Sequence, residues 1–396
     1  MNPVVVMGKA LVKHKLHVGA LTGLERFLLA VVMLPDRVTT LLAATNIEPD
    51  LIDPKYDYEL LARSREANLE LFGEVLERVQ ADTVVVPVWM GTLTTGAAEL
   101  GTVFKIEKRR VPYPVEFPIH SIEDLAKVQA PQQAAGYLKM YFDLNLEAQK
   151  RYPDTLIFPV FDGPWDLAML LRGDKQLPMD LRIHKDYVRA KDAAARERIR
   201  RYGNPDLYPA LMELTTRLAI RHIQLGQQSG LSLLGAMLID QYASKPVLSR
   251  EDYFEFVHPY REQVWSATGR KVAISYMCTS PADIELNMQH PILRKAAGSL
   301  TNYIFPQTPE GITRPEYDRP MVEMALKYKQ SYNYIVHGKF LRDASEAELD
   351  ALIRRICGLA TELRARVAVS LSSVPPGASL DKANLVFKLV EKYGRY

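Results

Sequence analysis

The sequence predicts an α/β protein, a (β/α)8 TIM barrel with an N-terminal extension and insertions at its C-terminal face. Three observations predict it. Eight short apolar runs alternate with stretches of helical spacing. The runs are near-continuous in Val, Ile, Leu and Tyr, as in parallel strands buried on both faces. Several end on a side chain capable of chemistry, and the C-terminal strand ends are where barrels carry their sites. An open, doubly wound sheet would show the same alternation, but no Gly-rich phosphate loop follows any run, which favours the closed barrel.

The first run, 37–44 (RVTTLLAA), follows the N-terminal extension. The second, 83–89 (TVVVPVW), precedes an insertion at 102–117 that alternates polar and apolar residues around Lys108 to Arg110 and reads as a hairpin. The third, 155–161 (TLIFPVF), leads through Gly163 and Pro164 into a tight strand-to-helix turn. A second insertion, 174–204, separates that turn from a helix beginning near Pro205. The fourth run, 231–238, is followed by a helix start at Ser249 with Asp252 three residues on. After the fifth, 271–277, Ser280 before Pro281 marks another start. The sixth is 300–305 and the seventh 331–337, with a capping pair at Ser345 and Glu348. The next helix shows its apolar face in Leu349, Leu352, Ile353, Ile356 and Leu359, and the eighth run, 366–371, closes the series.

At 396 residues the chain exceeds the roughly 250 of a plain barrel, so one domain, 1–396, with insertions at 102–117 and 174–204 is expected. Two cysteines argue against a disulfide framework and for a reducing compartment, the cytoplasm. The apolar run 27–34 is far shorter than the ~20 residues of a membrane helix, and Glu25 and Arg26 before it argue against a signal peptide. A net charge of +3 does not point to nucleic acid. The basic residues of 182–201 are interleaved with Asp186, Asp192 and Glu197 and read as a solvated helix.

In a barrel the strand-end residues share one mouth: Asn46, Trp89, Met90, Asp162, Asp240, Gln241, Tyr242, Tyr276, Cys278, Gln307, His337, Ser372 and Ser373. They include acids, a histidine and phenols but no cluster of lysines or arginines, which disfavours a polyanionic substrate. Asp162 before a Pro-containing first turn fits a helix cap as well as a site residue. Asp240 ends a strand with no helix starting until Ser249, so capping is not expected of it. His337 before Gly338 suits a general acid or base, or a ring held by backbone hydrogen bonds. Trp89 and Trp165 would wall a pocket for a planar ligand, or pack in the core. Cys357 follows Ile353 and Ile356 on an apolar face and reads as packed. The remaining histidines show no metal-ligand spacing, with His222 and His290 placed on outer helices.

Leu238 to Tyr260 (LIDQYASKPVLSREDYFEFVHPY) resembles the strand, acidic loop and helix of the uroporphyrinogen decarboxylase superfamily. Gly163 to Gly173 (GPWDLAMLLRG) is similar to its "GPFTLA…G" turn, and Ser370 to Gly394 to its closing "PP.TP.EN" segment. Leu21 to Thr40 matches the opening of its methyltransferase members. The superfamily implies a barrel and divides into porphyrinogen decarboxylases and corrinoid-dependent methyltransferases. The "RQAGRY" segment of the decarboxylases is missing. The zinc set of the thiol methyltransferases reads here as Tyr276, Cys278 and Ser372, one ligand of three, so zinc is not expected.

The branch left is the methyl-donor side, in anaerobes the O-demethylases of methoxylated aromatics such as guaiacol. The resemblance implies transfer of a methyl group from a phenyl methyl ether to the cob(I)alamin of a separate corrinoid protein. His337, Tyr276, Asp240 and Asp162 are then candidate proton or hydrogen-bond donors to the departing phenolate. Trp89, Met90, Trp165, Gln241, Tyr242, Asn46 and Cys278 would line the substrate. The partners expected are the small ether and the corrinoid protein, with no nucleic acid or membrane; a homodimer is compatible. A decarboxylase, needing a cationic clamp for which Arg172 is the candidate, and a non-catalytic corrinoid- or tetrapyrrole-binding protein are the alternatives.

Overall fold

The computed structural model describes residues 38–43, 47–81, 83–85, 88–89, 93, 95–152, 155, 157, 159–231, 236–240, 243, 247–269, 273–274, 276–278, 285, 302–304, 315–328 and 332–395. Of these, 39, 41–43, 83–85, 273–274, 276–278, 302–304 and 317 are described by backbone alone. The sequence is read as one domain; the fold gathers it into two compact units that interleave along the chain. The first comprises 1–89, 147–158 and 275–396, and the second 90–146 and 159–274.

The strands in chain order are β1 (Thr39–Ala43), β2 (Thr83–Val85), β3 (Val103–Glu107), β4 (Arg110–Glu116), β5 (Val160–Asp162), β6 (Met237–Ile239), β7 (Ala273–Ile274), β8 (Tyr276–Cys278), β9 (Asn302–Ile304), β10 (Tyr332–Val336) and β11 (Val367–Leu371). Each of the eight apolar runs contributes a strand, and all pairings among them are parallel. The first unit holds a six-stranded sheet ordered β2-β1-β11-β10-β9-β8, and the second a three-stranded sheet ordered β5-β6-β7. The fifth run is divided, β7 pairing with β6 and β8 with β9. Among the described residues the hydrogen bonding therefore gives two parallel sheets, where the sequence leads one to expect a single closed ring.

In the third run the described residues 155, 157 and 159 lie outside strand, and β5 begins after Pro159, which has no N–H to give a ladder. The 102–117 insertion is the expected hairpin, β3 and β4 pairing antiparallel with Lys108 and Arg109 at the turn. The 174–204 insertion forms two helices, Gln176–Arg189 and Ala193–Arg200, the second with no buried residue.

In the first unit the Glu346–Leu363 helix starts at the expected capping box of Ser345 and Glu348. It buries Leu349, Leu352, Ile353, Ile356, Cys357 and Ala360, each aliphatic side chain of this stripe contributing about 1.5–3 kcal/mol. Leu359 stays at the margin while Cys357 is fully enclosed, its thiol pushed up to about 12 by burial. The Leu380–Tyr393 helix packs beside it and reaches back to the start of the chain. Asn384 receives the Gln80 N–H at 3.0 Å and donates to the Arg78 carbonyl at 2.9 Å, and the Val38 N–H donates to the Gly394 carbonyl at 2.7 Å.

In the second unit the Leu207–Gln228 helix packs against the Pro164–Arg172 and His258–Ala267 helices. Ser249 caps Arg250–Asp252, its Oγ accepting the Asp252 N–H as the sequence predicts. The run then passes through a π-helical turn, Tyr253–Val257, before His258–Ala267. Pro259, which has no N–H to return to Glu255, makes that widened turn intelligible. Among the described residues no helix is long and apolar enough to cross a membrane.

Candidate functional site

In the second unit, β5 and β6 run parallel with Asp162 opposite Ile239, so Asp162 and Asp240 stand at neighbouring strand ends. The Gly163 N–H donates to the Ile239 carbonyl at 2.5 Å, and the chain turns at once into the Pro164–Arg172 helix. Gly163, not Asp162, is the N-cap of that helix, and as a glycine it has no side chain to cap with.

The cap comes from Asp240. Its Oδ1 accepts the Asp166 N–H at 3.0 Å, satisfying a donor of the first helical turn from 74 residues away. The sequence leads one to expect no capping from Asp240, since no helix starts soon after it; the structure corrects this, because the capped helix precedes it. Oδ2 lies 2.8 Å from Nε of Arg261, with side-chain exposures of 1% for Arg261 and 0% for Asp240. Arg261 also donates through Nη1 to the Tyr253 hydroxyl at 2.7 Å and through Nη2 to the Leu238 carbonyl at 2.9 Å. Gly163 completes the arrangement, because a Cβ there would fall on the Asp240 carboxylate.

Burial raises the Asp240 carboxyl, opposed by Arg261 and by the helix amides, and leaves it at about 6. Asp162 is pushed higher, to about 7, by burial and by the neighbouring charge of Asp240. It keeps some solvent exposure, and no hydrogen bond to its side chain occurs among the described residues. Two adjacent carboxyls in unequal surroundings thus divide into an anion held by a guanidinium and an acid that keeps its proton near neutral pH.

Trp165, in the first turn of the same helix, is fully buried and lies 6.3 Å from the Tyr208 ring, with no hydrogen-bond partner for its indole N–H among the described residues. Trp89, in the first unit, is 2% exposed and donates its indole N–H to the Ile47 carbonyl at 2.9 Å. Both are packed side chains.

The first unit carries the other strand-end group. His337 follows β10 and caps the Gly338–Asp343 helix, its Nδ1 accepting the Lys339 N–H at 3.2 Å. That bond assigns the ring proton to Nε2. Burial and the charge of Lys339 lower its pKa, so the ring is neutral at pH 7. The Gly338 N–H donates to Ser372 Oγ at 2.9 Å, and a Cβ at Gly338 would run into Ser373 Oγ. His337, Ser372 and Ser373 therefore meet at the ends of β10 and β11.

Tyr276 and Cys278 lie in β8, in register with Asn302 and Ile304, with side chains outside the described set. Asn46, Met90, Gln241, Tyr242, Gln307, Ser280 and His290 lie outside the described residues. No group of three or more His, Cys, Asp or Glu side chains is placed to hold a metal among the described residues. Arg172 is committed to structure. It forks onto Asp180 at 2.7 and 3.2 Å and donates to the carbonyls of Ile119 and His120. His222 is on a helix as expected, but its ring is turned inward against Gly96, and burial lowers it to about 4.

Sequence reasoning missed Arg261. Its signal was present: Tyr253, Val257, Arg261 and Trp265 recur every fourth residue, placing one arginine in a stripe of buried residues.

Residues 50–291 match the sequence profile of the family described as Uroporphyrinogen decarboxylase (URO-D). Among solved structures the chain is similar to a methyltransferase from Methanosarcina mazei, at 14% identity and a TM-score of 0.69, over 94% of this chain and 99% of that one. No curated protein matches the chain.

Proposed function

The chain belongs to the uroporphyrinogen decarboxylase family, and from that premise we propose that it is a methyltransferase, moving a methyl group from a methoxylated aromatic to the cob(I)alamin of a separate corrinoid protein in the cytoplasm. On this reading the strands of the eight apolar runs form the family's (β/α)8 barrel, β7 and β8 together making the fifth. The fold shared with the Methanosarcina methyltransferase supports this branch. So does Arg172, whose commitment to Asp180 takes away the carboxylate clamp a decarboxylase would need.

The observation that carries the proposal is Asp162, a strand-end carboxyl held at about 7 beside an ion-paired carboxylate. The bound corrinoid of the partner supplies the nucleophile for the methyl carbon. This chain's part is to orient the ether and to receive the departing phenolate. A phenolate whose conjugate acid has a pKa near 10 departs more readily when a proton is at hand, and a carboxyl still protonated near pH 7 can give one. Such a proton transfer contributes typically 10²–10⁴-fold. His337, neutral and with its proton on Nε2, offers a hydrogen bond to a ring hydroxyl; it is not the acid. With one of three zinc ligands kept in the sequence, no step is assigned to zinc.

The test follows the visible spectrum of a reduced corrinoid protein mixed with this protein and guaiacol. Methylation of the corrinoid that requires this protein supports the reading. Its absence across several methoxyarenes, with a partner shown to be active, refutes it.

A further inference from the structure

We propose that Asp240 is a positioning residue, not a proton donor: locked to Arg261, it fixes the turn between β5 and the Pro164–Arg172 helix and so sets where the Asp162 carboxyl stands. This rests on the reading of Asp162 as the acid of the methyl-transfer site.

One Asp240 oxygen accepts the Asp166 N–H at 3.0 Å, and the other stands 2.8 Å from Arg261 Nε in a buried ion pair that is not aligned as a hydrogen bond. The side chain has no exposure through which to meet a substrate. Arg261 in turn is held on Tyr253 and on the Leu238 carbonyl of β6, so the carboxylate is anchored to its own sheet and cannot follow the helix if the helix shifts. The Pro164–Arg172 helix is therefore drawn onto a fixed point. Its first turn begins at Gly163, the residue next to Asp162, and Gly163 bears no Cβ at the place where the carboxylate stands. Asp162 has the opposite character, with residual exposure and no hydrogen bond to its side chain among the described residues. One aspartate builds the turn and the other is presented by it.

The anion also acts on its neighbour's proton. Asp162 is faced by Asp240 from the end of β6 and by the Tyr141 phenol of the Gly136–Arg151 helix. Asp240 is faced by Arg261, by the Tyr253 hydroxyl that Arg261 holds, and by Tyr208. Only Arg261 in this set is a cation, and it is spent on Asp240.

The test compares D240N, the double variant D240N/R261Q, R261K and D162N, reading kcat and KM for corrinoid methylation against pH. The titration of the Asp162 carboxyl by carbon-13 NMR is followed independently of turnover. D240N alone leaves Arg261 as a buried cation without its counterion and is expected to unfold readily. The double variant removes both charges, while the amide oxygen it introduces at position 240 can still take the Asp166 N–H. It is expected to fold, to lose no more than about tenfold in kcat, and to move the Asp162 titration to lower pH. R261K keeps a cation but not the hold on Tyr253 and Leu238, and is expected to lower kcat with KM little changed.

A folded double variant that loses a hundredfold or more in kcat, with Asp162 titrating as in the parent, would make Asp240 the reacting group and overturn the proposal. An unshifted Asp162 titration overturns it whatever the reaction is, and unchanged kcat in R261K does so if the double variant does not fold. Full turnover in D162N would instead defeat the reading of Asp162 on which the proposal stands.

Discussion

Replacing Gly163 by alanine adds one methyl group at the most tightly determined point of the second unit. All three atoms of the Asp240 carboxylate occupy the space a Cβ would take. Two responses are open. If the backbone gives, the cost is that of overpacking, typically 1–3 kcal/mol. If the carboxylate gives, Arg261 loses its partner, and breaking a buried pair costs about 3–5 kcal/mol. The carboxylate is held on both oxygens and the Gly163 N–H is itself bonded to Ile239, so neither response is free. We expect a loss of about 3 kcal/mol, at the overlap of the two ranges.

The assay is urea unfolding followed by tryptophan fluorescence, since Trp165 lies two residues on. With an m-value of about 3 kcal/mol/M the midpoint should fall by about 1 M. Gly358→Ala is the matched control. Gly358 lies on the exposed side of the Glu346–Leu363 helix, where an added Cβ meets nothing within 4 Å. Alanine there should stabilise by about 0.5–1 kcal/mol. If G163A unfolds within about 0.5 kcal/mol of the parent, the Asp240 carboxylate is not rigidly held, and the role given to it fails.

Further expectations concern the titrating and committed side chains. Asp162 is raised in the folded state from 3.8 to about 7, so its contribution to stability is fully present below pH 4 and lost as pH rises through 7. D162N should remove that slope and be more stable than the parent at pH 8, by up to about 4 kcal/mol in equilibrium unfolding, while losing turnover. H337N keeps a good N-cap for the Gly338–Asp343 helix, so its stability should stay within about 0.5 kcal/mol. Its kcat should fall if the ring N–H serves the substrate; equal kcat would remove His337 from the site. R172A leaves Asp180 buried without its cation and should cost about 3–5 kcal/mol in the same unfolding assay, with KM for guaiacol unchanged.

The eight strand segments could be read from the sequence because strands covered on both faces leave continuous apolar runs, and the starts at Ser249 and Ser345 because a cap and its partner lie within three residues. The extent of β5 could not be read so well, since an apolar residue beside a strand looks like one within it. The candidate acids were visible as residue types at strand ends, but their roles were not. What distinguishes Asp240 from Asp162 is a guanidinium 21 residues later and a helix amide 74 residues earlier. No local pattern encodes such a partner. Arg172 illustrates the same limit: a candidate clamp by sequence, it is closed off by Asp180 of the next helix, eight residues on.

The placement of β1 between β2 and β11 bears on how the protein is made. On the ribosome, β2 follows β1 within about 40 residues, but β11 is separated from it by about 330, roughly 15–65 s of synthesis. Through that interval one edge of β1 has no strand to pair with, and over roughly its last 90 residues β5, β6 and β7 have all been made in the second unit. The half-built chain therefore carries one sheet whose strands have all been made and one that still lacks its C-terminal strands, a state open to chaperone binding and edge-to-edge association. The period ends when β11 pairs with β1, and the C-terminal helix that follows brings Asn384 onto Arg78 and Gln80.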